Sequence, residues 1–184
     1  MTVEMRGAAF FTFLDALGQL RGPATVAAVR AALPVSLREQ LDRGALTRVG
    51  WYPLSAYAAL HTANDSVVRG GEALAFQIGR LTTEVDTRGL IRFVLAIASP
   101  DLLMRHASLV FGSYIRGATV TAEALAPRHC SVRWKGLEGA TRLLLAEMEG
   151  GTAFLVERTG GKHVQVSTLS AKSPSEGGFE VRWE

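Results

Sequence analysis

His129 and Cys130 stand side by side at the head of the stretch HCSVRWKG, and Cys130 is the only cysteine among 184 residues. A thiol beside an imidazole is the raw material of a nucleophile or a metal ligand. Along an extended strand, however, neighbouring side chains point to opposite faces. His129, Ser131 and Arg133 then share one face, while Cys130, Val132 and Trp134 share the other. The imidazole cannot activate the thiol across the strand, and Cys130 reads as a core residue. The tripeptide VRW recurs at Val181 to Trp183. Each copy places a Val and a Trp on one strand face, so the pair signals a buried sheet surface.

Other reactive residues are sparse. The four histidines are His61, His106, His129 and His163. No HExxH or CxxC spacing joins them to further ligands, so no metal site is expected. His106 lies at the edge of an apolar helix face beside Leu102, Leu103 and Val110, where an imidazole could reach a haem iron. His129, Arg133 and His163 are candidates for one polar sheet face. The acidic pairs Glu84/Asp86 and Glu147/Glu149 are each two apart, so on a helix their side chains diverge. They read as solvated surface rather than acid–base machinery. Gly70-Gly71 and GLEGA precede helices without the lysine or downstream acid of a nucleotide motif, and GxSxG is absent. The expectation is a protein that is not an enzyme and carries no resident cofactor.

The elements that position these residues change character near residue 116. Before it, Ala, Leu and Arg dominate and apolar residues recur at helical spacing, as in Phe10, Phe13, Leu14, Leu17 and Leu20. Pro23 suits a first helical position, and Pro34 ends the helix that follows. WYP opens the next helix, a longer one is expected over about 67–86, and GLIRFVLAIAS is apolar enough for a buried helix. Ser99 is the expected N-cap of SPDLLMRHASLVFGSYI. After residue 116, TVTAEAL and HCSVRW read as strands joined by APR. GLEGATRLLLAEMEGG reads as a helix, TAFLVERTGGKHVQVSTL as a hairpin turning at Gly160-Gly161, SAKSPSEGG as a loop and FEVRWE as a strand. This order predicts a single α+β domain over 1–184, helical over 7–115 and strand-rich over 116–184. Its helical half should pack on one face of a C-terminal antiparallel sheet.

Several segments together resemble a known pattern. WYP (Trp51 to Pro53) precedes a Tyr-containing helix, and IGR (Ile78 to Arg80) comes late in a helix that leads to SPDLL (Ser99 to Leu103). Val120 and Thr121 on a strand and a terminal EVRW (Glu180 to Trp183) complete it. The order resembles an uncharacterised myxobacterial paralogous family. It is distantly similar to the superfamily of four-vinyl-reductase-like, haem–NO-binding-like and transport-particle-subunit domains. The resemblance covers roughly 50–184 and implies helices against an antiparallel sheet in a module that binds small molecules or acyl chains, or mediates association. The tyrosine–serine–arginine haem-propionate signature and the cysteine cluster of some relatives are missing here.

Bulk composition narrows the function classes. The chain is 48% hydrophobic and 20% charged, with a net charge of +3 from scattered basic residues. No basic stripe suited to nucleic acid is present. No run of ~18 uncharged apolar residues suggests a membrane span, and a lone cysteine fits a reducing, cytoplasmic setting. One excess stands out: residues 90–115 are apolar on more than one helix face. Such faces must be buried in a core, against a partner or around a ligand. Phe93, Ile97, Leu103, His106, Val110, Phe111 and Tyr114 are therefore the candidate cavity or interface residues. The expected function is a non-catalytic cytoplasmic signalling or scaffolding module, homodimeric, acting through an unidentified protein partner and holding a small apolar ligand. The alternative is a haem or other cofactor-binding sensor using His106.

Overall fold

Phe10, Phe13, Leu14 and Leu17 recur at helical spacing and all four are buried. That stripe is the surface on which the neighbouring elements assemble. The computed structural model describes residues 2–87, 98–173 and 175–184. The first half contains β1 (Glu4–Arg6), α1 (Gly7–Arg21), α2 (Pro23–Ala32), α3 (Val35–Asp42), β2 (Trp51–Pro53), α4 (Leu54–Val68) and α5 (Gly71–Asp86). It continues with α6 (Pro100–Arg105), α7 (Ala107–Gly112) and β3 (Ile115–Arg116). The second half contains β4 (Thr119–Ala126), β5 (His129–Lys135), α8 (Arg142–Arg158), β6 (Gln165–Ser173) and β7 (Glu176–Arg182).

The architecture is α+β with antiparallel sheets, as the residue pattern predicts. The main sheet has the order β4-β5-β7-β6. Cys130 sits opposite Val181 and Val132 opposite Phe179 in its central pair. Cys130, Val132, Trp134, Phe179, Val181 and Trp183 are all buried, and the rings of Trp134 and Phe179 lie 5.8 Å apart. Both VRW copies therefore anchor the core, while Arg133 and Arg182 are exposed. A second, small sheet of order β2-β1-β3 lies in the helical half. WYP belongs to this sheet, pairing with β1, and it also leads into a helix as expected, with Pro53 at the N-cap of α4. Strands of two or three residues are too short to show a two-residue period, so this sheet left no sequence pattern.

Three expectations are corrected. The helix expected over about 67–86 is α5, which begins only at Gly71 because Arg69 adopts φ 54° and ends α4. The Asp65 carboxylate then accepts from the Gly71 amide at 2.8 Å and holds the start of α5. The helix capped by Ser99 does begin there, its hydroxyl accepting from the Leu102 amide, but it breaks at His106 into α6 and α7. The largest correction concerns TAFLVER, which is the last part of α8 and not a hairpin arm. Thr141 caps this helix by accepting from the Leu144 amide. The true hairpin partners are β6 and β7, which pair through the stretch read as a loop. GLIRFVLAIAS, apart from its last two residues, lies outside the described residues.

Gly150-Gly151 looked like a break because glycine costs about 1 kcal/mol in a helix interior. Here it is a crossing point. A Cβ on Gly150 would run into the Phe76 carbonyl, and one on Gly79 into the Glu147 carbonyl. The helices α5 and α8 thus meet backbone to backbone through glycines donated by each, and that close approach fixes one wall of the site described next.

Candidate functional site

Two helical turns of α4, Tyr57 and His61, lie four residues apart on one face, and both are buried. They meet Glu147 of α8, whose own exposure is 8%. The Tyr57 hydroxyl donates to the Glu147 carboxylate, 2.8 Å from Oε1 and 3.0 Å from Oε2. His61 Nε2 lies 2.8 Å from Oε2, so with Glu147 ionised this nitrogen carries the donated proton. Phe10 and Phe13 stack edge-on against Tyr57 and His61, at 5.0 and 4.9 Å. Burial first, then the Glu147 charge, pushes the Tyr57 phenol well above its ordinary range.

The reading of Glu147 and Glu149 as solvated surface is overturned, since both are buried. Their side chains do diverge. Glu149 turns away from Glu147 to accept from Arg142 at 2.9 and 3.2 Å and from the Thr168 hydroxyl at 2.7 Å. It ties α8 to the sheet, while Glu147 faces the helices. Asp86, likewise read as surface, accepts from the Tyr114 hydroxyl at 3.0 Å. Burial and the nearby Glu147 charge raise its carboxyl pKa, against opposing effects from Tyr114 and Arg48.

These groups meet at a cavity of about 400 Å³. Its walls come from Met5 of β1, Ala9 and Thr12 of α1, Tyr57 of α4, and Thr82, Thr83 and Asp86 of α5. Leu103, Met104, Ala107, Leu109, Val110 and Phe111 of α6 and α7 face them, and Leu144, Glu147, Met148, Gly151, Thr152 and Leu155 of α8 close the set. Thr87, Ser113, Tyr114 and Ile115 complete the lining. The body is apolar. Leu109 lines it yet is 71% exposed, which marks where it meets the surface.

Of the residues singled out from the sequence, the structure brings Leu103, Val110, Phe111 and Tyr114 together on this cavity. His106 is exposed at the junction of α6 and α7 and is not among the lining residues. Phe93 and Ile97 lie outside the described residues. Cys130 is buried on the sheet's core face, and burial, reinforced by Asp101, pushes its thiol up to about 11. His129 lies 2.9 Å from Glu180 on the opposite face, whereas His163 precedes β6 and nears Glu184 at 3.9 Å. The polar trio of His129, Arg133 and His163 does not form. Sequence reading missed Tyr57, His61, Asp86 and Glu147. The spacing of Tyr57 and His61 and a Glu within LLLAEME were legible, but their partnership spans 86 residues. Among the described residues no group of three or more His, Cys, Asp or Glu could hold a metal ion.

No family model and no curated protein matches the chain. Solved structures do. The Fe(II) unliganded H-NOX protein from K. algicida is similar with a TM-score of 0.74 at 15% identity, over 98% of this chain and 97% of that one. A single-substitution variant of that protein gives 0.75 at 17% identity over the same shares. An oxygen-binding H-NOX domain related to soluble guanylate cyclases, in its oxygen complex, gives 0.65 at 12% identity over 98% and 95%. Identities this low speak for architecture and not for chemistry. From end to end the chain has the fold of H-NOX domains, and its distant similarity to the haem–NO-binding-like superfamily is a similarity of the whole architecture.

Proposed function

We propose that the chain is a ligand-binding sensor domain whose ligand occupies the cavity among α1, α5, α6, α7 and α8. The cavity carries this reading: about 400 Å³ of mostly apolar space, within the roughly 300–1,000 Å³ of small-molecule sites. The likeness to H-NOX domains supports a small-ligand sensor better than a bare scaffold. The domain binds rather than converts, and passes ligand occupancy to a second copy of itself or to a partner protein. No helix among the described residues is long and apolar enough to cross a membrane. Work in the cytoplasm, as the lone cysteine suggests, is part of the same proposal.

Haem needs an axial ligand and partners for its two propionates. The described lining residues include no histidine, cysteine, lysine or arginine, and they do include the carboxyls of Asp86 and Glu147. His61 is committed to Glu147. Residues 88–97 contain Arg88 and Arg92 but no His, Cys, Met or Tyr. The lining tyrosines are committed to Glu147 and Asp86, so among the described residues the lining offers thioethers but no imidazole or thiolate for the iron and no cation for a propionate, and it does not fit haem. A haem sensor using His106 is the second reading, favoured by the fold likeness alone, and it requires the junction of α6 and α7 to carry His106 inward.

Native mass spectrometry of the purified protein, followed by a hemin titration, tests both. The leading reading expects one small molecule retained per chain and no stoichiometric Soret band. A stoichiometric band lost in His106→Ala would establish the second reading. A protein that retains no small molecule and binds neither hemin nor any apolar compound would end both.

A further inference from the structure

Most polar groups at this end of the cavity share a one-sided hydrogen-bonding character; the Thr83 hydroxyl, which donates to no described residue, is the exception. Among the described lining residues, Tyr57 donates its hydroxyl proton to Glu147 and Tyr114 donates to Asp86. Thr12, Thr82, Thr87, Thr152 and Ser113 donate to backbone carbonyls of the preceding turn. Each of those hydroxyl protons is spent, so what the groups still offer a ligand is lone pairs. The two carboxyls add acceptor oxygens. Among the described residues Asp86 takes one hydrogen bond, at Oδ2, and Oδ1 is the oxygen left to accept from a ligand.

An anion placed here would lose its hydration and find acceptors facing it, a costly mismatch. A ligand that brings its own donors meets the opposite situation. We propose that the cavity takes an apolar amine, its ammonium donating to Asp86 and Glu147 and its hydrocarbon body lying against Leu103, Met104, Phe111 and Met148. This rests on the reading of the cavity as a ligand site and names the class of ligand. The same chemistry gives the site its selectivity. A carboxylic acid of equal length fits the apolar walls but presents like charge to the two carboxyls. A neutral alcohol falls between them. Arg48 acts on Asp86 and Arg6 on Tyr114, and neither is among the lining residues, so they temper the acidity of this end without supplying an anion site.

Octylamine, octanol and octanoate share one body and differ in the head group, so calorimetric titration of the wild-type protein with the three at pH 7 tests the inference. The expected order is amine, then alcohol, then acid, with the amine about tenfold or more tighter than the acid. Asp86→Asn, and separately Glu147→Gln, should collapse that ratio towards one. The wild-type order stands as a test by itself if either variant fails to fold. Octanoate binding as tightly as octylamine would overturn the amine class and leave the cavity reading intact. Failure of all three ligands overturns it as well, and a negative mass-spectrometric and hemin result would then remove the sensor reading too. Hemin binding through His106 with no amine binding would replace this inference with the haem reading.

Discussion

At the scale of single residues, the site is built from groups that a purely structural core would avoid. A buried carboxylate costs several kcal/mol unless it is hydrogen-bonded from all sides, and Glu147 has Tyr57 and His61 for that purpose. Asp86 is less well compensated, with one hydroxyl partner among the described residues and a carboxyl pKa raised chiefly by burial. A folded pKa above the unfolded value favours the protonated form. The stability this contributes is present below the unfolded carboxyl pKa and is lost as pH rises through the folded one. Asp86→Asn keeps an oxygen for the Tyr114 hydroxyl and removes the titration. The variant should therefore melt about 2–4 °C above wild type at pH 7, and the gap should close at pH 3. A variant less stable at pH 7 would mean that the Asp86 charge stabilises the fold instead of straining it. Stability given up at a cavity wall is the pattern of a residue kept for binding.

At the scale of elements, the crossing of α5 and α8 decides the cavity's shape. Gly79 abuts the Glu147 carbonyl, so any side chain there pushes on the helix that carries the site's buried carboxylate. Gly79→Ala should cost about 1–3 kcal/mol by overpacking. Gly112 of α7 has open space around it, and Gly112→Ala should stabilise by up to about 1 kcal/mol. Urea unfolding of the two variants checks the contrast, and equal effects would refute the crossing-point role. The same helices show how far sequence reading reaches. The stripes of α1 and the alternation of β5 and β7 were legible, because burial on one face imposes its period directly. The second half of α8 was not. Its interior Gly150-Gly151 and the β-branched and aromatic residues of TAFLVER mimic strand and turn signals, and only the opposing glycine of α5 explains them. Leu103, Val110, Phe111 and Tyr114 were found from apolar excess alone. Tyr57, His61, Asp86 and Glu147 were not, because a charge buried by residues distant in sequence looks identical to a charge in solvent.

At the scale of the molecule, an H-NOX-type architecture surrounds a cavity whose described walls offer acceptors and carboxyls instead of an iron ligand. The fold and the lining are separate facts, and the proposed function joins them as a sensor scaffold fitted to a ligand other than haem. Whether the cavity is occupied by small apolar molecules at all is the point on which this picture turns. Titration of the protein with the neutral dye N-phenyl-1-naphthylamine, whose fluorescence rises in an apolar site, reads that occupancy. Ala107 lines the cavity and is buried, so Ala107→Trp fills it from within. Saturable binding of one dye per wild-type chain, lost in an Ala107→Trp variant whose circular dichroism is unchanged, is the expected result. No saturable binding to wild type, or equal binding to the folded variant, would contradict it.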